Sequence, residues 1–499
     1  NRGIISSSTS SQGNAGTVNV TADQLKITGQ NGSFTATGIL SSAQLLSTGN
    51  AGDIIVNADN LDIVNGGVIS SSAVVTSNGN GGDITVNAKN LNLVNGGQIS
   101  SDSWWQGHAG NVNVTAKQLK IDGQEGKYLT GITSSALPYS NGDASNVTVN
   151  ADSLDMLNSG VISSTTWSQG QAGTIFVKAN NLTMDNSLII ASAEGDSSYQ
   201  IGGIIFVSRG STGKAGNVTV TATKSLQLTN QSKISIENNA TITNPSEVKA
   251  GIITVSALDI DLKNSSITSE SIGNVDAGNI NTHVTHQLKM DTSFISTSAA
   301  DGNGGGITIN GGELINLQNS GFLTSVIGAN GNGGNINVAA NTLIMNTAAI
   351  QANAQAGTGG DIGMNINTLI PSQESLIKGG VPVLWQPNIA GFNVIQAASA
   401  TGVSGNINLT SPQFNINGTV SPFEKPLEPP KLNQSFCQEA ASESSFVSLG
   451  KGGKLMTDAK QVFIAPIKLP ESSANFESLR NNEEAITAMQ INNQSCTVK

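Results

Sequence analysis

Arginine and histidine are scarce in this sequence, with three of each. Enzymes that cleave polysaccharides need clustered carboxylates, as metal ligands or as an acid–base pair, and lyases add a basic residue. The basic candidates are His108, His283, His286, Arg2, Arg209 and Arg480. His283 and His286 lie three residues apart, which predicts opposite faces of a strand and a poor pair of metal ligands, and Arg209 is predicted to lie on a loop. We therefore expect no catalytic residue, with a polysaccharide lyase or hydrolase as the alternative.

A column of Asn and Asp residues is a candidate for calcium binding. One such residue follows each of several regularly spaced glycines: Asp53, Asp83, Asn111, Asn146, Asn217, Asn279, Asn335, Asp361 and Asn406. Calcium-binding β-rolls use tandem nonapeptides of the form GG-x-G-x-D-x-x-x, which this sequence lacks. A hydrogen-bonded ladder of Asn and Asp at one corner of the fold explains the column without a metal, so we expect neither metal nor cofactor.

The aromatic residues point to a binding surface. Trp104 and Trp167 each lie five residues after the isoleucine of an Ile-Ser run, and Leu137 has the same offset in the unit between them. This spacing predicts that Trp104, Trp105, Tyr139 and Trp167 cluster on one side of three neighbouring turns. Exposed Trp and Tyr rings suit sugar rings, which makes the cluster a candidate glycan contact. The alternative is that these rings pack beneath a long loop or inside the fold.

A repeated block must position these residues. Residues 80–100, NGGDITVNAKNLNLVNGGQIS, contain a Gly-rich turn and three apolar runs separated by Gly and Asn. The anchor glycine of the block, replaced by Ser145 in one copy, recurs at Gly16, Gly52, Gly82, Gly110, Gly173, Gly216, Gly251, Gly278, Gly305, Gly334, Gly360 and Gly405. Most neighbouring anchors are 26 to 36 residues apart, and the 43-residue step after Gly173 contains an imperfect extra copy, GIIFV, at Gly203. A constant block with variable spacing predicts a solenoid with loops of different sizes.

Three apolar runs per unit predict an all-β fold, a three-faced parallel β-helix of about 13 coils. Runs such as 53–56, 61–64 and 68–70 would each stack on their counterparts one coil away, at about 4.8 Å. Inward Ile, Val and Leu would form aliphatic stacks, and Asn and Gly would occupy corners that need a positive φ. We expect this stalk to span residues 1–420.

The repeat pattern stops at residue 421. Residues 421–431, SPFEKPLEPPK, are predicted to form a Pro-rich linker, and residues 432–499 a small separate module with Cys437 and Cys496. At the other end, NRGIISSSTSSQGNAG aligns with residues 66–82. We therefore expect the sequence to begin inside a repeat, with a secretion signal upstream.

The composition narrows the class of partner. A net charge of −11 and a pI near 4.8 disfavour nucleic acid, because phosphate binding needs clusters of Lys and Arg. The charged fraction is only 11%, and β-branched residues recur at strand spacing, which favours an ordered β structure over disorder. No apolar run approaches the roughly 18 residues that a membrane-spanning helix needs.

The sequence resembles filamentous-haemagglutinin-like exoproteins of the two-partner secretion type, especially their large cyanobacterial members. The resemblance rests on the serial GN-x-G-[DN]-[IV]-x-V-x-A-x-x-L blocks, the GG-x-ISS runs and the more specific segment CQEAASESSFVSLGKGG at 437–453. It implies a right-handed β-helix and a secreted adhesin associated with the cell surface and the outer membrane. It also implies an outer-membrane secretion partner that recognises an N-terminal domain, which we expect upstream of this sequence.

An exported chain with two cysteines in one module favours a Cys437–Cys496 disulfide, which we predict here. The resemblance implies that such a loop anchors the protein at the cell surface. Taken together, these features predict an adhesin whose stalk presents loops to extracellular glycans or neighbouring cells. A structural surface-layer or sheath component, formed by self-assembly, is a further alternative.

Overall fold

The computed structural model describes residues 3–410 except 32–35, 125–127, 139, 168, 202–203, 210–211, 243, 246–247, 249, 329–330 and 388. The predicted linker 421–431 and the module 432–499, with Cys437 and Cys496, lie outside the described residues. The domain boundaries and the disulfide therefore stay predictions. No helix in the described part of the chain is long and apolar enough to span a membrane.

The strands, numbered in chain order, fall into a long class and a short class that alternate along the chain. The long class comprises β2 (Val18–Thr28), β4 (Ile54–Val64), β6 (Ile84–Val94), β8 (Val112–Asp122), β10 (Val147–Leu157), β12 (Ile175–Asp185), β16 (Val218–Thr229), β18 (Ile252–Lys263), β20 (Asn279–Asp291), the pair β22 (Ile307–Asn310) and β23 (Leu314–Gln318), β25 (Ile336–Asn346), β27 (Ile362–Pro371) and the fragment β30 (Ile407–Thr410).

The short class comprises β1 (Ile4–Thr9), β3 (Thr37–Ala43), β5 (Gly67–Ala73), β7 (Gln98–Ser103), β9 (Thr130–Ala136), β11 (Gly160–Thr166), β13 (Leu188–Ala193), β17 (Lys233–Asn238), β19 (Ser266–Ser271), β21 (Phe294–Ala299), β24 (Gly321–Val326), β26 (Ala349–Ala354), β28 (Ile377–Lys378) and β29 (Val394–Gln396). A hairpin, β14 (Asp196–Ile201) and β15 (Ile204–Arg209), interrupts the alternation, and a 3-10 helix, Ser372–Glu374, follows β27.

Each class forms one parallel sheet in which the strands pair with their counterparts one turn away, except that β28 pairs with β29 of the same turn. The register joins equivalent residues, so Val56 pairs with Val86 and Val86 with Val114. This arrangement is a parallel β-solenoid, and the predicted all-β fold class is confirmed. From β2 to β26 the described residues form about 11 complete turns, fewer than the 13 predicted, because the turns at both ends are incomplete.

In most units the first two predicted runs form one long bent strand instead of two separate strands, whereas β22 and β23 remain separate. In β4 the buried side chains are Ile54 and Val56 before the bend, and Leu61 and Ile63 after it. The inward side therefore changes from even to odd residue numbers, because the backbone turns a corner without leaving the sheet. Each turn still has three sides, two of which belong to one strand.

Residues 204–207 of the imperfect copy GIIFV do not join the solenoid sheets. Strands β14 and β15 pair antiparallel, as a hairpin outside the two parallel sheets. Arg209 is the last residue of β15, so its predicted position on a loop is wrong. The same alternating pattern can form either a hairpin or a solenoid strand, because both are extended.

The interior combines aliphatic columns with a column of buried hydroxyls. Val86 and its neighbours in register are fully buried or nearly so. The second serine of the Ile-Ser-Ser run also points inward: the Ser71 hydroxyl donates to the carbonyl of Gly52 and accepts from the amide of Gly82, both at 2.9 Å. Each such serine therefore ties the anchor glycine of one turn to that of the next, which satisfies buried backbone groups.

The glycines and asparagines of the corners have different roles. Asn65 and Asn95, between the long and short strands, have positive φ values of 55° and 50°, as predicted for that corner. The anchor glycines have no positive φ but stack at very short range. A Cβ on Gly82 would lie 2.4 Å from the carbonyl oxygen of Gly52. This corner requires glycine because consecutive turns leave no room for a side chain.

Candidate functional site

The corner that follows the short strands places two of the predicted aromatic residues, Trp104 and Trp167, at equivalent positions. The amide of Trp104 donates to the carbonyl of Ala73 at 3.0 Å, that of Leu137 to Ser103 at 2.8 Å and that of Trp167 to Ala136 at 2.8 Å. Each residue is therefore the first after a short strand, and the three occupy equivalent positions on successive turns. Tyr139 lies outside the described residues, and its place in the cluster stays a prediction.

Apolar side chains continue along this corner towards the N-terminal end of the solenoid. Leu45 and Leu46 have exposed fractions of 62% and 80%, and Val74, Val75, Trp104, Trp105, Leu137 and Trp167 are half-buried. We call these eight residues the apolar corner. It ends at the next two turns, where Glu194 and then Asn239 take the equivalent positions and hydrogen-bond to each other at 3.2 Å.

A polar surface lies beside the apolar corner, on the outer face of the short strands. On five successive turns the second-last residue of the short strand points outward, and these residues are Ser42, Ser72, Asp102, Ser135 and Thr165. Asp102 is the only carboxylate among these five. Ser72 and Ser135 flank it in register, and both hydroxyls hydrogen-bond to its carboxylate, as does that of Ser100.

Burial raises the pKa of the Asp102 carboxyl to about 6, against the lowering effect of its three serine partners. Asp102 as a residue is half-buried, and the atoms around its carboxylate remove much of the hydration that stabilises the charged form. Hydroxyl donors offset this cost less than a cation would, because they carry no charge. Asp102 was not among the residues singled out from the sequence. The one available signal was an Asp in a run, ISSDS, whose neighbouring copies contain Ser.

The histidines are distributed over the outer surface. His283 and His286 are both exposed on β20, so the prediction of opposite faces is wrong. The bend between them changes which residues face outward, as in β4. The His286 Nδ1 atom lies 2.6 Å from Asp259 Oδ1, and its Nε2 atom lies 3.7 Å from Glu313 Oε2. These three residues come from successive turns and form an exposed stack on the outer surface.

The Asn and Asp column forms the predicted ladder. The Oδ1 atom of Asp53 accepts from the amide of Asp83 at 2.9 Å, and Asp83 accepts from the amide of Asn111 at 2.7 Å. A second ladder, at the Gly-rich turn, runs through Asn50 and Asn80 to His108, whose amide donates to Asn80 at 2.8 Å. Side-chain oxygens of both ladders thus bind backbone amides one turn away. No group of three or more His, Cys, Asp or Glu suited to a metal occurs within the described residues.

Comparison of the chain with protein-family models, curated proteins and solved structures finds no match.

Proposed function

We propose that this chain is the stalk of a secreted cell-surface adhesin, and that it contacts glycans through the apolar corner. The observation that carries the proposal is the placement of Trp104 and Trp167 at one corner of the solenoid, with Leu137 between them. Secretion and surface attachment rest on the resemblance to filamentous-haemagglutinin-like exoproteins.

The chemistry of the corner favours a sugar over a protein or nucleic-acid partner. Indole rings offer flat apolar faces to the C–H groups of a pyranose ring, and their N–H groups can bind its hydroxyls. The adjacent face carries the hydroxyls of Ser72 and Ser135, which suit the hydroxyl groups of a sugar. The chain's net charge of −11 disfavours a polyphosphate partner.

The residues of the apolar corner form a row along the solenoid, as the surface of an adhesive stalk requires. Because each turn contacts mainly its neighbours, a solenoid holds surface residues in a fixed row without a large globular core. Leu45 and Leu46 extend the row by two turns beyond the tryptophans, and both are strongly exposed. A row of this kind can contact several sugar units of one polysaccharide, which raises its avidity.

A glycan array with the whole chain tests the proposal. We expect binding to one class of extracellular glycan. The triple variant Trp104→Ala/Trp105→Ala/Trp167→Ala should bind about 5- to 150-fold more weakly, because ring contacts of this type contribute about 1–3 kcal/mol together. The matched control is Ile272→Ala/Ile327→Ala, which removes two exposed apolar residues from equivalent positions on later turns.

Three results would contradict this function. Absence of glycan binding by the unaltered chain would make this stretch a spacer or a surface-layer component, and ordered assembly of the chain alone would favour the latter. Equal losses in the control variant would place binding elsewhere on the solenoid. Cleavage of a bound polysaccharide, measured as new reducing or unsaturated ends, would identify an enzyme.

A further inference from the structure

Asp102 lies on the outer surface of β7, and Trp104 is the first residue after that strand. In β7, Ser101 and Ser103 are buried, whereas Asp102 is partly exposed and Trp104 follows in the same alternation. The amide of Trp104 still pairs with Ala73, so the strand geometry continues to that residue. Alternate residues of a strand share a face and are about 7 Å apart, so the carboxylate and the indole border one surface.

Hydroxyls from three neighbouring strands surround the carboxylate. Ser72, Ser100 and Ser135 hydrogen-bond to Asp102, and Ser70 joins the network through Ser72 at 2.9 Å. Asp102 is half-buried and its two flanking residues in the register are serines, so a donor from outside the protein can approach it from the outer face.

The fold itself does not require a carboxylate here. Ser42, Ser72 and Ser135 occupy the same outward position on nearby turns, and the strand pairs in the same way at each of them. A partly buried carboxylate bound only by hydroxyls costs stability, which serine would avoid. Asp102, the residue that lowers stability, lies on the turn that carries both Trp104 and Trp105. Residues that lower stability at a binding surface are typical of functional sites.

We propose that Asp102 is the polar half of the glycan site, accepting a hydrogen bond from a hydroxyl or ammonium group of a sugar whose ring packs on Trp104 or Trp105. This inference rests on the proposed function and adds a ligand class to it. The ligand is a neutral or amino sugar, because the carboxylate repels a uronic or sialic acid group placed beside it.

The test compares Asp102→Ser and Asp102→Asn with the unaltered chain, on an array of neutral, amino and acidic oligosaccharides. Serine is the residue of the neighbouring turns, so this variant is expected to fold, which its circular dichroism spectrum and melting curve check. We expect either variant to bind about ten- to hundredfold more weakly, because a hydrogen bond to a charged group is lost. Ser298→Ala, at the same outward position on a distant turn, is the control for an altered hydroxyl.

The possible results distinguish failure of the role proposed for Asp102 from failure of the proposed glycan binding. If the tryptophan variant loses binding and both Asp102 variants keep it, the glycan site stands and the role of Asp102 is refuted. Preferential binding of acidic sugars by the unaltered chain also refutes it. If the unaltered chain binds no glycan, the proposed function fails and the inference fails with it. Equal weakening by Ser298→Ala would assign the loss to the strand face as a whole.

Discussion

Asp102, a carboxylate with serines at the equivalent positions of both neighbouring turns, makes the stability of this protein sensitive to pH. Burial raises the pKa of Asp102 from 3.8 to about 6, so between these values the folded state binds more protons than the unfolded state. The free energy of unfolding therefore decreases as the pH rises through that window and levels off above it. This contribution has the opposite sign to that of a carboxylate in an ion pair.

Asp102→Asn is expected to stabilise the protein at pH 7 and to remove this pH dependence. Asparagine keeps a side-chain oxygen for the serine donors but carries no charge to desolvate. From a pKa shift of this size, we expect the free energy of unfolding of the variant to exceed that of the unaltered chain by roughly 1–3 kcal/mol at neutral pH. At about pH 3.5 the two proteins should be equally stable. Urea unfolding of both proteins at a series of pH values measures the difference in stability at neutral pH and at about pH 3.5.

Asp152→Asn is the matched control for the change of charge, because Asp152 is an exposed carboxylate on β10. We expect it to change stability by less than about 0.5 kcal/mol at any pH. A gain for Asp102→Asn that persisted at pH 3.5 would mean that the charge of Asp102 is not what destabilises the folded state.

At the scale of the elements, close stacking of backbone defines the Gly-rich corner. A second column of glycines runs through Gly13, Gly49 and Gly79, and a Cβ on Gly79 would lie 2.0 Å from the carbonyl oxygen of Gly49. That contact is with backbone, which cannot move aside as a flexible side chain can. The turn must therefore separate from its neighbour or distort to accept any larger residue.

Gly79→Ala is expected to destabilise the solenoid by about 1–3 kcal/mol, the usual range for overpacking. Gly13→Ala is an unusually close control, because Gly13 occupies the same column at the first described turn and a Cβ there meets nothing within 4 Å. We expect the control to be neutral or slightly stabilising, since alanine restricts the unfolded chain. Equal urea midpoints for the two variants would show that the corner can relax around a methyl group.

The elements also show which parts of the structure the sequence could predict. The inward aliphatic positions, such as Val86, follow from two-residue alternation, and the Asn and Asp ladder follows from a residue type repeated once per turn. The bend inside the long strands was not predicted. At the bend the inward positions switch from even to odd residue numbers, and the same switch occurs where one strand ends and another begins. The two exposed histidines of β20 were misplaced for the same reason.

Asp102 could not be recognised as part of a site because its surroundings come from other turns. Ser72 and Ser135 lie about thirty residues away on either side, and only the register brings them beside the carboxylate. The position of Trp104 relative to Trp167 was accessible because both follow the same short run at the same offset. A residue type that recurs once per turn can therefore be placed from the sequence. A residue that differs from its counterparts on neighbouring turns, such as Asp102, cannot be interpreted in this way.

At the scale of the whole molecule, the described solenoid is a row of turns joined by nearest-neighbour contacts. Its strands pair with counterparts one turn before and one turn after, in unbroken order along both sheets. Stability in such an array is approximately a sum of terms for each turn and each interface between turns. Removing one complete turn should therefore shorten the rod without destroying it.

Deletion of residues 52–81 tests this prediction, because it removes one 30-residue unit and joins Ala51 to Gly82, the next anchor glycine. Equivalent residues then meet across the junction, with Val18 expected to pair with Ile84 as it does with Ile54. We expect an unchanged β-sheet spectrum, a cooperative urea transition and an m-value lower by roughly one part in eleven, because m scales with the surface exposed on unfolding. Glycan binding should persist, since Trp104, Trp105 and Trp167 remain.

Deletion of residues 52–66 is the informative contrast, although it removes only half as much chain. It would place the short strand β5 where the long strand β4 belongs, so inward and outward side chains would no longer match the turns on either side. We expect loss of the cooperative transition, with aggregation through the mismatched edges. A half-turn deletion as stable as the full-turn deletion would mean that turns need no fixed register. In that case the order of residues along the apolar corner could not be maintained by the scaffold.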